Sequence, residues 1–90
     1  MKQDERKFEN ECRCIARRRG WVCAKLEKNG NTGIPDDLFI SPDGRCFLVE
    51  FKRSEAEPLR PEQRVWFERF PPLCWRVDSW DEFYKMIDGA

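Results

Sequence analysis

The sequence predicts a small α/β domain in which helices pack on both faces of a mixed sheet, in the order α-β-β-β-α-β-α. Apolar residues recur at helical spacing in several segments, and short apolar runs bounded by Gly, Pro, Asn or Asp lie between them. Hydrophobic residues make up 40% of the chain and include four Trp and seven Phe, which excludes a disordered chain. Ninety residues suffice for one hydrophobic core, so residues 1–90 are expected to form a single domain.

The first helix is expected over residues 4–19, where Phe8, Cys12 and Ile15 follow a three-to-four spacing. Gly20 is suited to end it, because glycine accepts the left-handed conformation that follows many helices. Residues 21–26 are then predicted to form a short, apolar strand.

A hairpin is predicted next. Residues 37–40 and 45–52 would be its strands, and Ser-Pro-Asp-Gly at 41–44 has the composition of a tight turn. The second of these strands starts with apolar residues on both faces, which is typical of a central strand covered on two sides.

The second helix is expected to start at Pro61 and to end before Pro71. Its apolar face would consist of Val65, Trp66 and Phe70. Large aromatic residues are this frequent mainly because they fill the core, although some would also suit a dimer surface.

The chain closes with a strand over residues 73–77 and a third helix that ends near Gly89. Ser79 and Glu82 have the spacing of a capping box at the start of that helix. These two elements complete the predicted sheet and helix layers.

The absence of certain residue types restricts the chemistry. The chain has no His, which excludes Cys/His zinc sites and nucleophilic mechanisms that use a His base. Its five Cys form no Cys-x-x-Cys pair and each lies among apolar residues, so reduced, packed thiols in a cytoplasmic setting are the simplest interpretation. An enzyme of this composition has to use carboxylates, Lys, Arg or an oxygen-bound metal, and no organic cofactor is expected.

Charge and hydropathy narrow the range of partners. The chain has 17 basic and 17 acidic residues, which argues against a histone-like polyelectrolyte partner but leaves room for a local basic face. No apolar run approaches the ~18 residues that are needed to cross a bilayer. No association with a membrane is therefore expected.

Acidic residues are expected to meet at one end of the hairpin. Glu50 and Lys52 share a strand face, and by themselves they suit an exposed ion pair worth ~0–1 kcal/mol. Asp36 and Asp37 open the partner strand, where they suit a solvated turn, but the hairpin brings one of them opposite Glu50. Strand parity favours Asp36.

Such a pair of acids favours a cation. Two carboxylates about 4 Å apart repel by ~4 kcal/mol at an effective dielectric of about 20, and a divalent ion turns this repulsion into binding. Hard oxygen ligands favour Mg²⁺ or Mn²⁺. A metal site at this end of the hairpin is therefore predicted.

The ordered pattern resembles the PD-(D/E)XK nucleases and, within them, the VRR-NUC domain. The residues that carry the resemblance are Gly-Ile-Pro-Asp at 33–36, a short hairpin, and Glu-Phe-Lys at 50–52. An acidic first helix that ends in Gly, a basic Lys25 on the first strand, and a Leu-x-Pro-x-Gln helix start at 59–63 extend it over nearly the whole chain. The resemblance implies a restriction-endonuclease-like sandwich.

The same resemblance implies a metal-dependent, structure-specific DNA endonuclease, similar to the Holliday junction resolvases. Asp36 and Glu50 would hold Mg²⁺ or Mn²⁺ together with the main-chain carbonyl of Phe51. Lys52 would orient or help to deprotonate the attacking water, and Gln63 would support the site from the second helix.

Two assignments stay open within the resemblance. The family contributes an acid from the first helix, for which Glu5 is preferred because it lies in the stripe expected to face the sheet, and Glu9, one turn along, is the alternative. Asp37 departs from the family, in which an apolar or basic residue is more common. It is either a further acid of the metal site or an exposed strand residue.

The expected partner is DNA, branched DNA above all, contacted at its phosphates by Lys25, Lys28, Arg53 and Arg60. Such binding follows backbone shape and charge and depends steeply on salt. The resemblance to junction resolvases also implies a homodimer that presents two sites to two strands. Two other functions remain open: a DNA-binding accessory module without catalysis, and a protein-interaction domain that uses the aromatic residues.

Overall fold

The structure is a computed structural model that describes residues 4–27, 30 and 32–89. Its elements confirm the predicted fold class and their predicted order. They are α1 (Glu5–Arg18), β1 (Val22–Lys25), β2 (Asp37–Ile40), β3 (Cys46–Phe51), α2 (Pro61–Arg69), β4 (Cys74–Val77) and α3 (Trp80–Gly89). Across these residues, no helix is both long enough and apolar enough to span a bilayer.

The four strands form one mixed sheet in the order β1-β2-β3-β4. The first two pairs are antiparallel, with Asp37 paired to Val49 across β2 and β3, and β3 pairs with β4 in parallel. The central position predicted for β3 is therefore correct. Every residue of β3 after Cys46 is buried, as expected of a strand that has neighbours on both edges and helices on both faces.

The hydrophobic core lies between the sheet and the two helices α1 and α3. Aromatic rings meet across this layer, with the Phe8 ring 5.0 Å from Trp80 and 6.0 Å from Phe51 between centroids. The core residues are Phe8, Cys12, Ala16, Trp21, Cys23, Phe39, Phe47, Val49, Phe51, Val77, Phe83, Met86 and Ile87.

Helix α2 covers the opposite face of the sheet, and its predicted apolar face is wrong for Val65 and Phe70, whereas Trp66 is half-buried. Val65 is 58% exposed and Phe70 is 38% exposed, whereas the polar Gln63 is 1% exposed. The reason is that this face of the sheet carries Glu50 and Lys52 beyond its apolar residues, so the helix turns a polar side chain toward them.

The five cysteines are all free thiols, but only three of them pack as predicted. Cys12, Cys23 and Cys74 are buried, whereas Cys14 and Cys46 are exposed. Cys14 lies on the outer surface of α1, and Cys46 is the first residue of β3 after the turn. The expectation that every cysteine is packed is therefore wrong for these two.

Candidate metal centre

Asp36 lies at the end of the hairpin, immediately before β2. Its Oδ2 accepts a hydrogen bond from the main-chain N–H of Phe51 at 3.0 Å, so the carboxylate lies beside the peptide that joins Glu50 to Phe51. Its carbonyl oxygen accepts a hydrogen bond from the N–H of Leu26 at 2.8 Å, which holds the turn against the end of β1. The predicted approach of Asp36 to the end of β3 is thus present in the fold.

Helix α1 brings two more carboxylates to the same place. One oxygen from each of Glu5, Glu9 and Asp36 lies within 4.8 Å of the others, in a partly buried group. Both helix acids reach Asp36, because residues four apart project from the same side of a helix. Burial raises the pKa of the Glu9 carboxyl, and the charge of Asp36 raises it further, while the hydrogen bond from Arg13 opposes both effects.

A buried ion pair that the sequence did not predict lies behind this group. The Arg13 guanidinium donates from Nε to Oδ2 of Asp37 at 2.6 Å and from Nη2 to Oδ1 of Asp37 at 2.8 Å. Its Nη2 also donates to Oε1 of Glu9 at 2.9 Å, and its Nη1 donates to Oδ1 of Asn10 at 2.9 Å. The pair with Asp37 raises the pKa of Arg13.

Both roles considered for Asp37 are therefore wrong. Its side chain is fully buried, so it is not an exposed strand residue, and Arg13 binds both of its oxygens, so it is not one of the clustered acids. The physical reason is that Asp37 points to the core side of the sheet, where a carboxylate needs a buried cation. The sequence did offer one indication of this partner, because Arg13 lies four residues after Glu9, at the edge of the apolar stripe of α1.

Glu50, Lys52 and Gln63 form a second polar group on the α2 side of the sheet. Nε2 of Gln63 donates to Oε2 of Glu50 at 2.9 Å, and Nζ of Lys52 donates to Oε1 of Gln63 at 2.9 Å. Lys52 Nζ lies 3.7 Å from Oε2 of Glu50, and all three residues are buried. Gln63 is held in turn by the main-chain N–H of Arg60, which donates to its Oε1 at 2.8 Å.

Asp36 and Phe51 connect the two polar groups. The compact group of three acids found among the described residues contains Asp36 but not Glu50, whose Oε2 faces Gln63 and Lys52 instead. Phe51 follows Glu50 directly and donates its N–H to Asp36. The two groups therefore meet at the end of β3, where the peptide that joins Glu50 to Phe51 lies next to Asp36.

Two of the predicted DNA-binding residues lie beside the acids. Lys25 and Arg53 line an open cleft of about 670 Å³ that is also lined by Glu5, Glu9 and Arg13. Arg53 lies within 3.5 Å of Oε2 of Glu5, and both of these basic side chains are exposed to solvent. The cleft thus places the basic side chains of Lys25 and Arg53 next to the cluster of three acids.

The other two predicted DNA-binding residues are not part of this cleft. Arg60 is exposed at the start of α2, where its Nε lies 3.5 Å from Oε1 of Glu62. Lys28 lies outside the described residues.

Comparison with known proteins places this geometry in a family. No family model matches the chain, and no curated protein matches it. A solved structure described as "VRR_NUC domain" is similar over 93% of this chain and 94% of that chain, with a TM-score of 0.83 and 29% sequence identity. The similarity covers nearly the whole of both chains, and it supports the identification of this chain as a VRR-NUC domain, a nuclease-type domain.

Proposed function

We propose that the chain is a Mg²⁺- or Mn²⁺-dependent DNA endonuclease that hydrolyses phosphodiester bonds. The observation that carries this proposal is the meeting of Glu5, Glu9 and Asp36, from two separate stretches of the chain, in one partly buried group beside basic side chains. Three carboxylates this close repel one another, and a divalent cation bound between them would turn this repulsion into binding.

The donor set fits a hard divalent cation. Carboxylate oxygens are the ligands that Mg²⁺ and Mn²⁺ prefer, and soft or imidazole ligands are not part of the group. We propose Asp36 and the helix acids as ligands, with Glu50 and the main-chain carbonyl of Phe51 completing the set. When bound, such an ion lowers the pKa of its water and neutralises charge on the phosphodiester.

We propose that the second polar group, which consists of Glu50, Lys52 and Gln63, positions the attacking water. Gln63 fixes both Glu50 and Lys52 by hydrogen bonds, so the ammonium group of Lys52 has a defined position. Lys52 would orient the attacking water, help to remove its proton, and offset charge on the phosphate. Gln63 acts through these two residues and is a positioning residue.

The proposed substrate is DNA, branched DNA such as a Holliday junction in particular. Lys25 and Arg53 in the cleft would contact phosphates close to the scissile bond, and Lys28 and Arg60 would contact phosphates further away. Contacts of this kind follow the backbone rather than the bases, since nothing in the described fold resembles a helix presented for reading the major groove.

Cleavage of labelled junction, flap and linear DNA with Mn²⁺ or Mg²⁺ tests the proposal. Asp36→Asn and Glu50→Gln should each lower the cleavage rate by at least about 100-fold, because several kcal/mol of transition-state stabilisation are lost. Asp43→Asn is the matched control, since Asp43 is an exposed acid in the turn at the far end of the hairpin. Full activity in Asp36→Asn would refute the proposal, and metal-independent binding without any product would favour an accessory module.

We also propose that the protein works as a homodimer. Val22, on the edge strand β1, is 59% exposed, and Val65 and Phe70 on α2 are exposed as well. Aromatic side chains such as that of Phe70 are enriched at the centres of protein interfaces. Light scattering at micromolar concentration should give twice the mass of the chain, and a monomeric mass would contradict this part of the proposal.

A further inference from the structure

All three nitrogens of the Arg13 guanidinium are used within the protein. Nε and Nη2 bind both oxygens of Asp37 on β2, while Nη2 also binds Glu9 and Nη1 binds Asn10 on its own helix. The group also lies over the ring of Phe51, 5.7 Å from its centroid, and Arg13 is 8% exposed. A planar guanidinium that is hydrogen-bonded both to the sheet and to its own helix is held in one orientation.

Glu5 and Glu9, the two acids that α1 contributes to the cluster with Asp36, differ in how their side chains are held. Glu9 has 13% of its side chain exposed and is bound by the buried Arg13 at 2.9 Å. Glu5 has 31% exposed and faces Arg53, itself 56% exposed, at 3.5 Å. A carboxylate that is already fixed loses less conformational freedom when it binds an ion.

We infer that Arg13, anchored by Asp37, is a positioning residue. It holds Glu9 in the cluster of three acids and makes Glu9 the helix acid that binds the metal. This inference rests on the proposed function. The arrangement also has an electrostatic consequence. Asp37 offsets the charge of Arg13, so the pair fixes Glu9 without adding net positive charge that would compete with the cation.

A hydrogen bond from Arg13 is compatible with metal binding by Glu9. An ionised carboxylate has two oxygens and about four lone-pair sites, so a bond to Oε1 leaves it able to bind an ion. Partners that orient a metal ligand from behind are common in metal sites, and their loss lowers metal affinity about 10–100-fold.

The affinity of the whole chain for Mn²⁺, measured by titration calorimetry, tests this inference. Glu9→Gln is expected to raise the Kd about 10–100-fold, and Glu5→Gln is expected to raise it less. Arg13→Lys keeps the charge but cannot bind Asp37 and Glu9 together, so it should raise the Kd about 10-fold. Because Arg13 acts through Glu9, the double variant Arg13→Lys/Glu9→Gln should be no weaker than Glu9→Gln alone.

Arg17→Lys is the matched control. Arg17 lies one turn further along α1 and donates to the carbonyl oxygen of Cys23 at 3.0 Å, so it also joins the helix to the sheet but does not contact the acids. This substitution should leave the Kd for Mn²⁺ unchanged. If Arg13→Lys does not fold, Arg13→Met/Asp37→Leu replaces both charges with apolar side chains of similar size, and it should raise the Kd to the same extent.

Additive effects of Arg13→Lys and Glu9→Gln on the Kd would overturn the inference, and so would wild-type affinity in a folded Arg13 variant or a larger loss in Glu5→Gln than in Glu9→Gln. The proposed function is judged separately by wild type and Asp36→Asn. Mn²⁺ binding that Asp36→Asn abolishes supports the proposed metal site whatever the Arg13 variants show. A wild-type chain that binds no Mn²⁺ would overturn both.

Discussion

The main chain of Gly33 packs directly against the main chain of Glu62. A Cβ atom at position 33 would lie 2.2 Å from the carbonyl oxygen of Glu62 and 3.0 Å from the nitrogen of Gln63. Gly33 also has a φ of +83°, in the left-handed region. This contact joins the turn that carries Asp36 to the first turn of α2, so the two polar groups of the candidate site share one support.

Gly33→Ala should destabilise the protein by about 2–4 kcal/mol, because it adds a steric clash with backbone to the cost of the left-handed conformation. Gly30→Ala is the control, since Gly30 has the same φ of +83° but no atom within 4 Å of its added Cβ. It should cost only about 1–2 kcal/mol. Urea unfolding followed by tryptophan fluorescence measures both, and equal losses would show that the contact with Glu62 contributes nothing.

The Arg13–Asp37 pair should behave as a unit in stability measurements. Asp37→Ala leaves Arg13 buried without its main partner and is expected to cost about 3–5 kcal/mol. Arg13→Met/Asp37→Leu removes both charges and should recover most of that loss, because apolar replacements avoid the desolvation of two ions. Unfolding in urea gives both values. A double variant as unstable as Asp37→Ala would contradict the expected coupling.

Gln63 should affect stability and cleavage together. Gln63→Leu removes the acceptor of Lys52 and the donor to Glu50, and leaving buried polar groups unsatisfied is expected to cost about 1–3 kcal/mol. The cleavage rate should fall as Lys52 loses its fixed position. Arg64→Ala, an exposed change at the next position of α2, should alter neither quantity.

The five cysteine thiols should differ in reactivity according to their burial. Burial raises the pKa of Cys23 to about 11, and it raises the pKa values of Cys12 and Cys74 as well. A raised pKa keeps the thiol protonated and unreactive at pH 8, so titration of the native protein with Ellman's reagent should detect only Cys14 and Cys46. In denaturing urea all five should react, and rapid reaction of Cys12 in the native protein would contradict its placement.

DNA binding should depend on salt through the residues of the cleft. Lys25→Ala and Arg53→Ala should each reduce the slope of log K against log [salt] by about 0.9, which corresponds to one phosphate contact. Arg45→Ala is the control, because Arg45 is exposed at the opposite end of β3. Fluorescence anisotropy of a labelled junction between low and moderate salt measures the slopes. An equal change of the slope in all three variants would show that DNA does not bind preferentially at the cleft.

Local pattern was sufficient for much of the architecture. The spacing of apolar residues and the turn residues predicted the element order, and strand parity predicted that Asp36 rather than Asp37 lies toward Glu50. Both follow from short-range geometry: the chain reverses within a few residues at the turn, and alternate side chains of a strand must point to opposite faces.

Contacts between distant segments decided the rest. Arg13 and Asp37 are 24 positions apart, and their pairing depends on the rotation of α1 about its own axis above the sheet. The same rotation brings both Glu5 and Glu9 to Asp36, which spacing alone had left as a choice. The inward turn of Gln63 likewise depends on which polar residues α2 covers. A helix periodicity defines a face but not the residue opposite it, because that is set only when the whole core is packed.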